Sequence, residues 1–137
     1  MARVESGASG NDRHRPLSPH LQIYRPMLTM MMSIAHRITG AALYFGTLLL
    51  AWFLIAASIG GGTYEVAAYS FNSVPGKVIL FVFTWALFHH LLGGIRHIIW
   101  DTGHGFEHNQ RELLAKATLI GGAALTVTVW GVAFLVQ

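Results

Sequence analysis

The sequence predicts an all-α integral membrane protein with three transmembrane helices. Hydrophobic residues make up 53% of the 137 residues and charged residues only 11%, well below the roughly 25% charge that is usual in soluble domains. Three apolar stretches exceed the roughly 20 residues that a helix needs to span a bilayer: about 27–59, 78–100 and 113–136. We therefore expect a three-helix transmembrane anchor domain over 27–137, preceded over 1–26 by a cytoplasmic tail and interfacial segment.

Prolines and glycines predict where the helices begin and end. Three prolines within 15–26 disfavour helix and indicate an extended segment. Gly60–Gly62 ends the first span, since glycine is preferred just past a helix C-terminus. Residues 63–74 are predicted to form a loop, Pro75 opens the second span, and 101–111 form a second polar loop with two glycines.

Composition also excludes several functions. The chain has no cysteine, which excludes disulfides, thiolate-bound iron–sulfur clusters and cysteine nucleophiles in this subunit. The net charge of +3 comes mainly from the N-terminal tail, so it bears on membrane topology and not on nucleic acid, which we do not expect as a partner. The first 26 residues lack the apolar core of a signal peptide. No phosphate loop, hydrolytic triad or metalloprotease motif is present.

Arginine placement predicts the orientation. The tail carries four arginines, the loop at 60–76 has no lysine or arginine, and the second loop has Arg111. By the positive-inside rule the N-terminus is cytoplasmic and the C-terminus periplasmic. The start of the first span and the end of the second then lie at the same face. This topology brings two polar groups to a similar depth: Ser33, His36 and Arg37, and Arg96, His97 and Asp101.

Histidines in the second span indicate a cofactor. Ionisable side chains at membrane depth are costly and mark functional sites, and neutral imidazole is a common ligand of haem iron. His90 and His97 are seven residues apart, about 10.5 Å along one helix face, which suits one axial ligand and a second group at the haem edge. The spacing leaves open whether His89 or His90 is the ligand. It also leaves open that these histidines only pack and hydrogen-bond.

Ser33 and Arg37 are four residues apart and share a helix face. A hydroxyl and a guanidinium near the membrane surface suit the carbonyl oxygens of a lipid-soluble quinone, with Asp101 nearby to orient the arginine or deliver protons. The competing interpretation is that Arg37 simply extends to the lipid headgroups.

The motifs together resemble the cytochrome b subunit of succinate dehydrogenase, respiratory complex II. They are Arg15-Pro-Leu-Ser-Pro-His20 with Ile23-Tyr24, Ser33-Ile-Ala-His-Arg-Ile-Thr-Gly40, and His90 with Gly94-Ile-Arg-His97 and Trp100-Asp101. The resemblance implies a bacterial inner-membrane, multi-pass anchor that forms a heterodimeric helix bundle with a second anchor subunit and shares a haem b with it. It also implies attachment of an iron–sulfur subunit and a flavoprotein subunit, with ubiquinone as the electron acceptor.

The resemblance also assigns site residues. It implies that His90, and not His89, is the haem ligand, and that the haem propionates lie near His36, Arg37 and His97. The predicted topology adds Arg96 to the same end. The quinone-site residues would be Ser33, Arg37 and Asp101. The chain would not be catalytic by itself. His104 and His108 have no counterpart role and are interpreted as solvated loop residues.

Two other functions remain open at this point. A fumarate reductase anchor would run the same chemistry in reverse. A non-redox channel or transporter subunit would use the polar cluster as a proton path and would bind no haem.

Overall fold

The computed structural model describes residues 19–136, and every regular element in that range is an α-helix. Helices α2, α4 and α5 are long and apolar enough to cross a membrane, which confirms the all-α fold and the three predicted spans. At 1.5 Å per residue, the 32 residues of α2 reach about 48 Å, well beyond the roughly 30 Å hydrocarbon core. The helices are α1 His20–Ile23, α2 Leu28–Ile59, α3 Gly61–Asn72, α4 Val74–Asp101 and α5 His108–Val136.

The loop predicted at 63–74 is wrong, because this segment forms helix α3. Gly60, with φ 76°, ends α2 as predicted, but the chain resumes a helix at once. Tyr64 and Phe71 lie two turns apart on one face of α3 and both pack against Phe53 of α2, with ring centroids 6.2 and 5.3 Å away. Ala67 is completely buried. Tertiary packing therefore stabilises a short helix in a segment that was predicted to be a loop.

The turn between α3 and α4 follows the predicted chemistry. The Ser73 hydroxyl accepts a hydrogen bond from the Gly76 backbone N–H at 3.2 Å and donates to the Ser70 carbonyl at 2.6 Å. Pro75 lies in the first turn of α4, where its missing N–H costs nothing. The helix therefore begins four residues before the predicted start at 78.

The extended segment predicted at 15–26 is corrected in part. Residues 15–18 lie outside the described part of the chain. His20–Ile23 forms one helical turn, α1, in which the N–H groups of Gln22 and Ile23 donate to the Pro19 carbonyl at 3.0 Å. A proline is compatible with this position because it precedes the first residue that needs a backbone N–H. Tyr24–Pro26 is not helical, as predicted.

The second loop is shorter than predicted, because α4 continues to Asp101 and α5 begins at His108. In the first turns of α5, Glu112 lies 3.6 Å from His108 and 3.5 Å from Lys116, one turn away on either side. Such pairs each stabilise a helix by a few tenths of a kcal/mol, about 0.2–0.5. His104 and His108 are both exposed, as predicted.

The interior of the bundle consists mainly of small residues, while most large apolar side chains face outward. Without a hydrophobic driving force in lipid, helices associate by close approach of small residues. Thr118 and Thr126 of α5 are also buried, and each hydroxyl donates to the carbonyl four residues earlier, at 2.8 and 2.7 Å. The buried small residues are Ala56, Ala67, Ala86, Gly93, Ala115 and Gly122.

Helices α4 and α5 approach each other closely at Gly121 and Gly122. A Cβ on Gly122 would lie 3.2 Å from the His89 Cα, and one on Gly121 would lie 2.8 Å from Leu92 Cδ1. Ala123 and Ala124 are exposed. The α4–α5 contact therefore depends on Gly122 facing the backbone of α4.

We expect Gly122→Val to destabilise the bundle by about 1–3 kcal/mol, because the added atoms meet backbone that cannot move aside. The measurement is thermal unfolding of the purified complex. Gly131→Val is the matched control, since nothing lies within 4 Å of its Cβ position. Equal melting temperatures for the two variants would contradict the predicted contact.

Candidate functional site

His36 of α2 is the centre of the polar cluster. Its ring stacks on that of His90 in α4, with centroids 3.9 Å apart and planes 5° from parallel. The His97 ring lies 5.4 Å away at a tilt of 53°. The beginning of α2 and the end of α4 therefore meet, as the topology argument predicted, and three of the predicted site histidines lie together.

Two glycines make room for this stack. A Cβ on Gly93 would collide with the His36 ring, and a Cβ on Gly40 would lie 2.9 Å from His90 Cε1. Gly93 is buried beneath His36. Gly94, by contrast, has open space at its Cβ position. Of the adjacent glycines Gly93 and Gly94, only Gly93 therefore lies close to another helix of the chain.

A backbone hydrogen bond fixes which ring nitrogen of His90 carries the proton. Its Nδ1 lies 3.1 Å from the carbonyl oxygen of His36 and 3.4 Å from Thr39 Oγ1. A carbonyl oxygen only accepts, so Nδ1–H is the donor and the Nε2 of the neutral ring holds a free lone pair. This Nε2 has no hydrogen-bond partner within 19–136 and is not sealed inside the bundle. A carbonyl holding the second nitrogen is the usual support for a metal-bound histidine.

His89 has entirely different surroundings. It is 0% exposed, it stacks on Trp85 with centroids 5.2 Å apart, and its backbone packs against Gly122 of α5. Neither ring nitrogen has a hydrogen-bond partner in the described structure. A planar cofactor reaches this ring only if α4 and α5 separate.

Arg96 and His97 are neighbours that face different surroundings. Arg96 is 3% exposed, and its guanidinium carbon lies over the Trp100 ring, 5.1 Å from the centroid. Its Nε has no hydrogen-bond partner. His97 is exposed and contacts Trp100 edge-on, with centroids 5.1 Å apart. Only His97 therefore shares the open surface beside His36 and His90.

The predicted quinone residues lie at the same end of the bundle but do not enclose a pocket. Ser33 is half-buried one turn before His36, whereas Arg37 and Asp101 are exposed. Both salt bridges found within 19–136 involve Glu112, so neither Arg37 nor Asp101 forms an ion pair there. Arg37 is thus a cation without a carboxylate partner in the described part of the chain.

Sequence reasoning missed Thr39 and Gly40 as site residues. Both touch His90, and both lie one turn beyond His36, at i+3 and i+4, where a helix presents the same face. That periodicity was available in the sequence. The partner of Thr39 was not, since it depends on how α2 and α4 pack.

Comparison with known proteins adds a family to this geometry. Residues 11–130 match the model of the succinate dehydrogenase/fumarate reductase transmembrane subunit. The chain belongs to this family. It is 42% identical over 120 residues to the succinate dehydrogenase cytochrome b556 subunit of Paracoccus denitrificans, a match that covers 88% of this chain and 92% of the relative.

Two further relatives of the family agree with that assignment. The cytochrome b556 subunit of Rickettsia conorii is 36% identical over 85% of this chain and 90% of its own length. The succinate dehydrogenase cytochrome b560 subunit of Reclinomonas americana is 34% identical, over 85% of each chain. The resemblance identified from the motifs is therefore confirmed, and the chain is a transmembrane subunit of the succinate dehydrogenase type.

Proposed function

We propose that this chain is the cytochrome b anchor subunit of a succinate dehydrogenase, binding haem b through His90. The observation that carries the proposal is the Nδ1–H of His90 donating to the His36 carbonyl, which leaves Nε2 free to bind iron. His90 is half-buried beside an open surface, where a residue of a second anchor subunit would hold the other side of the haem.

The burial of the neighbouring histidine supports the choice of His90. His89 is enclosed between α4 and α5 and has no free approach for a macrocycle. His90 has a fixed tautomer, a ring held by stacking and a free nitrogen. Haem bound here supplies a one-electron carrier within the membrane.

We assign the propionate end of the haem to the cluster at the end of α4. His36 and His97 line the open surface there, and Arg37 is exposed on α2, so all three are placed to donate to carboxylates. Arg96 is buried over Trp100. Arg96 therefore stabilises the propionates through its positive charge inside the bundle and does not contact them on the open surface.

We assign ubiquinone binding to Ser33, Arg37 and Asp101. Ser33 and Arg37 are one turn apart on α2, and an unpaired guanidinium beside a hydroxyl is a pair of donors for a quinone carbonyl. In this arrangement they stabilise negative charge that develops on the carbonyl oxygens as the quinone is reduced. Asp101, exposed at the end of α4, is placed to pass protons from the aqueous side.

The chain has no cysteine to bind an iron–sulfur cluster, and we assign succinate oxidation to partner subunits. We propose a flavoprotein, an iron–sulfur protein and a second membrane anchor as those partners, with the assembly at the bacterial inner membrane and this chain's N-terminus cytoplasmic. The names of the relatives favour succinate oxidation. Fumarate reduction is the second candidate, because the family description includes both directions.

The test is a reduced-minus-oxidised absorbance spectrum of the complex purified after co-expression with its partners. A b-type signal reduced by succinate supports the proposal. A complete complex without that signal contradicts haem binding, and a signal that responds only to a low-potential quinol favours the fumarate reductase direction.

A glycine pair gives a finer test of the site geometry. We expect Gly93→Ala to displace the His36 ring from His90, because the new methyl group occupies the place of the ring. The haem band should then broaden or shift. Gly94→Ala is the control, since its Cβ position is open within the chain. A haem spectrum unchanged in Gly93→Ala would contradict a role for the His36 stack.

A further inference from the structure

Two clefts meet at the α3 end of the bundle. One, of about 240 Å³, lies between α2, α3 and α4 and has apolar walls. The other, of about 480 Å³, lies between α3, α4 and α5 and has polar residues at its mouth. Phe53, Phe71 and Leu80 line both clefts, so these side chains form a wedge with a cleft on either side.

Three polar side chains that line the larger cleft, those of Thr84, Trp130 and Asn72, form hydrogen bonds within the protein. Thr84 Oγ1 donates to the Leu80 carbonyl at 2.7 Å and accepts from Trp130 Nε1 at 3.3 Å. The Asn72 side-chain amide donates to the Ala68 carbonyl at 2.9 Å. The interior of the cleft therefore offers mainly apolar contact, which suits a hydrocarbon chain.

Lys77 is the charged group at the mouth of this cleft. It is exposed, and it is the one lysine or arginine between Arg37 and Arg96 in the sequence. Glu65 is the carboxylate of α3, but no ion pair joins it to Lys77 within the described residues. The mouth thus presents an uncompensated positive charge where an anionic group would be stabilised.

The clefts are separate from the candidate haem site. Lys77 precedes His90 by thirteen residues, which is about 20 Å along α4. Thr84, in the wall of the larger cleft, is six residues from His90, so the two side chains point about 120° apart around the helix. The larger cleft therefore lies on another face of α4. The smaller cleft includes Phe83, which shares the face of His90 but precedes it by seven residues, about 10 Å along the helix. A ligand in the clefts lies towards the opposite end of the bundle from the candidate haem site.

We propose that the paired clefts bind one anionic phospholipid. Its phosphate lies at Lys77, with Tyr64 and Asn72 beside it, and its two acyl chains lie on either side of the Phe53–Phe71–Leu80 wedge. An amphiphile with two chains and one negative headgroup matches these features. The two apolar clefts take the chains, and the single cation at the mouth takes the headgroup. A basic side chain near the membrane surface attracts an anionic lipid headgroup.

The test uses the assembled complex, delipidated in detergent and titrated with phosphatidylglycerol, with bound lipid counted by native mass spectrometry. We expect one tightly held phosphatidylglycerol per copy of this chain. Lys77→Gln should weaken it about fivefold, the effect expected for one cation near a phosphate. Ala133→Phe, which fills the larger cleft from the exposed side of α5, should abolish it.

Lys116→Gln is the matched control, because Lys116 is an exposed lysine on α5 at the other end of the bundle. It should bind phosphatidylglycerol as the unaltered complex does. The proposal is overturned if Lys77→Gln and Lys116→Gln bind equally, if phosphatidylcholine binds as tightly as phosphatidylglycerol, or if Ala133→Phe retains the lipid. Haem content should be the same in all three variants, so this outcome is independent of the proposed haem site.

Discussion

We expect His90→Ala to remove the haem from the complex and His89→Ala to retain it. The alanine at position 90 eliminates the proposed iron ligand, and even loss of a residue that only orients a metal ligand typically costs 10–100-fold in affinity. We therefore expect haem per complex to fall by more than about tenfold. The measurement is the pyridine haemochrome content of complexes matched for flavin.

His89→Ala serves as the control and has its own expected phenotype. Its ring fills a completely buried position against Trp85, so its removal leaves a cavity between α4 and α5 and lowers the melting temperature. The haem spectrum should remain that of an axially ligated b-type centre. Equal haem loss in the two variants would overturn the assignment of His90. A His90→Ala complex with full haem content would place the ligand elsewhere.

Arg37→Ala should reduce succinate:ubiquinone activity strongly while sparing succinate oxidation by a soluble dye. Loss of a donor to a developing oxyanion typically costs 10²–10³-fold in rate, so we expect a decrease of about a hundredfold. Dye reduction bypasses the quinone site and needs only the partner subunits. Both rates are measured on the same membrane preparation.

Arg25→Ala is a suitable control for Arg37→Ala. Arg25 is also exposed, in the non-helical segment before α2, and it has no proposed contact with quinone. If both variants keep full quinone activity, Arg37 only reaches towards lipid headgroups. If Arg37→Ala also abolishes dye reduction, it disrupts assembly and not quinone binding.

The membrane spans were predictable because their signal is local. Apolar runs longer than a bilayer and glycine or proline at their ends are read directly from the chain, and Gly60 and Pro75 mark boundaries in the structure as expected. Helix α3 was not predictable in the same way. Its stability comes from Tyr64 and Phe71 packing on Phe53, and these contacts depend on the path of α2.

The meeting of α2 and α4 followed from charge, but its details did not. The distribution of arginines placed His36 near His97, and the rings are 5.4 Å apart. The parallel stack on His90 and the burial of Arg96 depend on how each helix is rotated about its axis. The sequence pattern does not specify that rotation, because apolar side chains can face either lipid or protein. For the same reason His89 and His90 were indistinguishable by spacing alone, although one is enclosed and the other faces outward.

The hydrogen bond from His90 to α2 ends on a main-chain carbonyl. Every amino acid at position 36 provides that same acceptor, provided the helix itself is kept. A point mutation at position 36 therefore leaves the tautomer of His90 unchanged. If a carboxylate side chain held the ring, such a mutation would remove the acceptor. Substitutions at His36 would change the stacking surface and the charge beside it, but leave the lone pair of Nε2 free. Substitutions at position 36 can thus change the surroundings of the His90 ring while His90 remains able to bind iron.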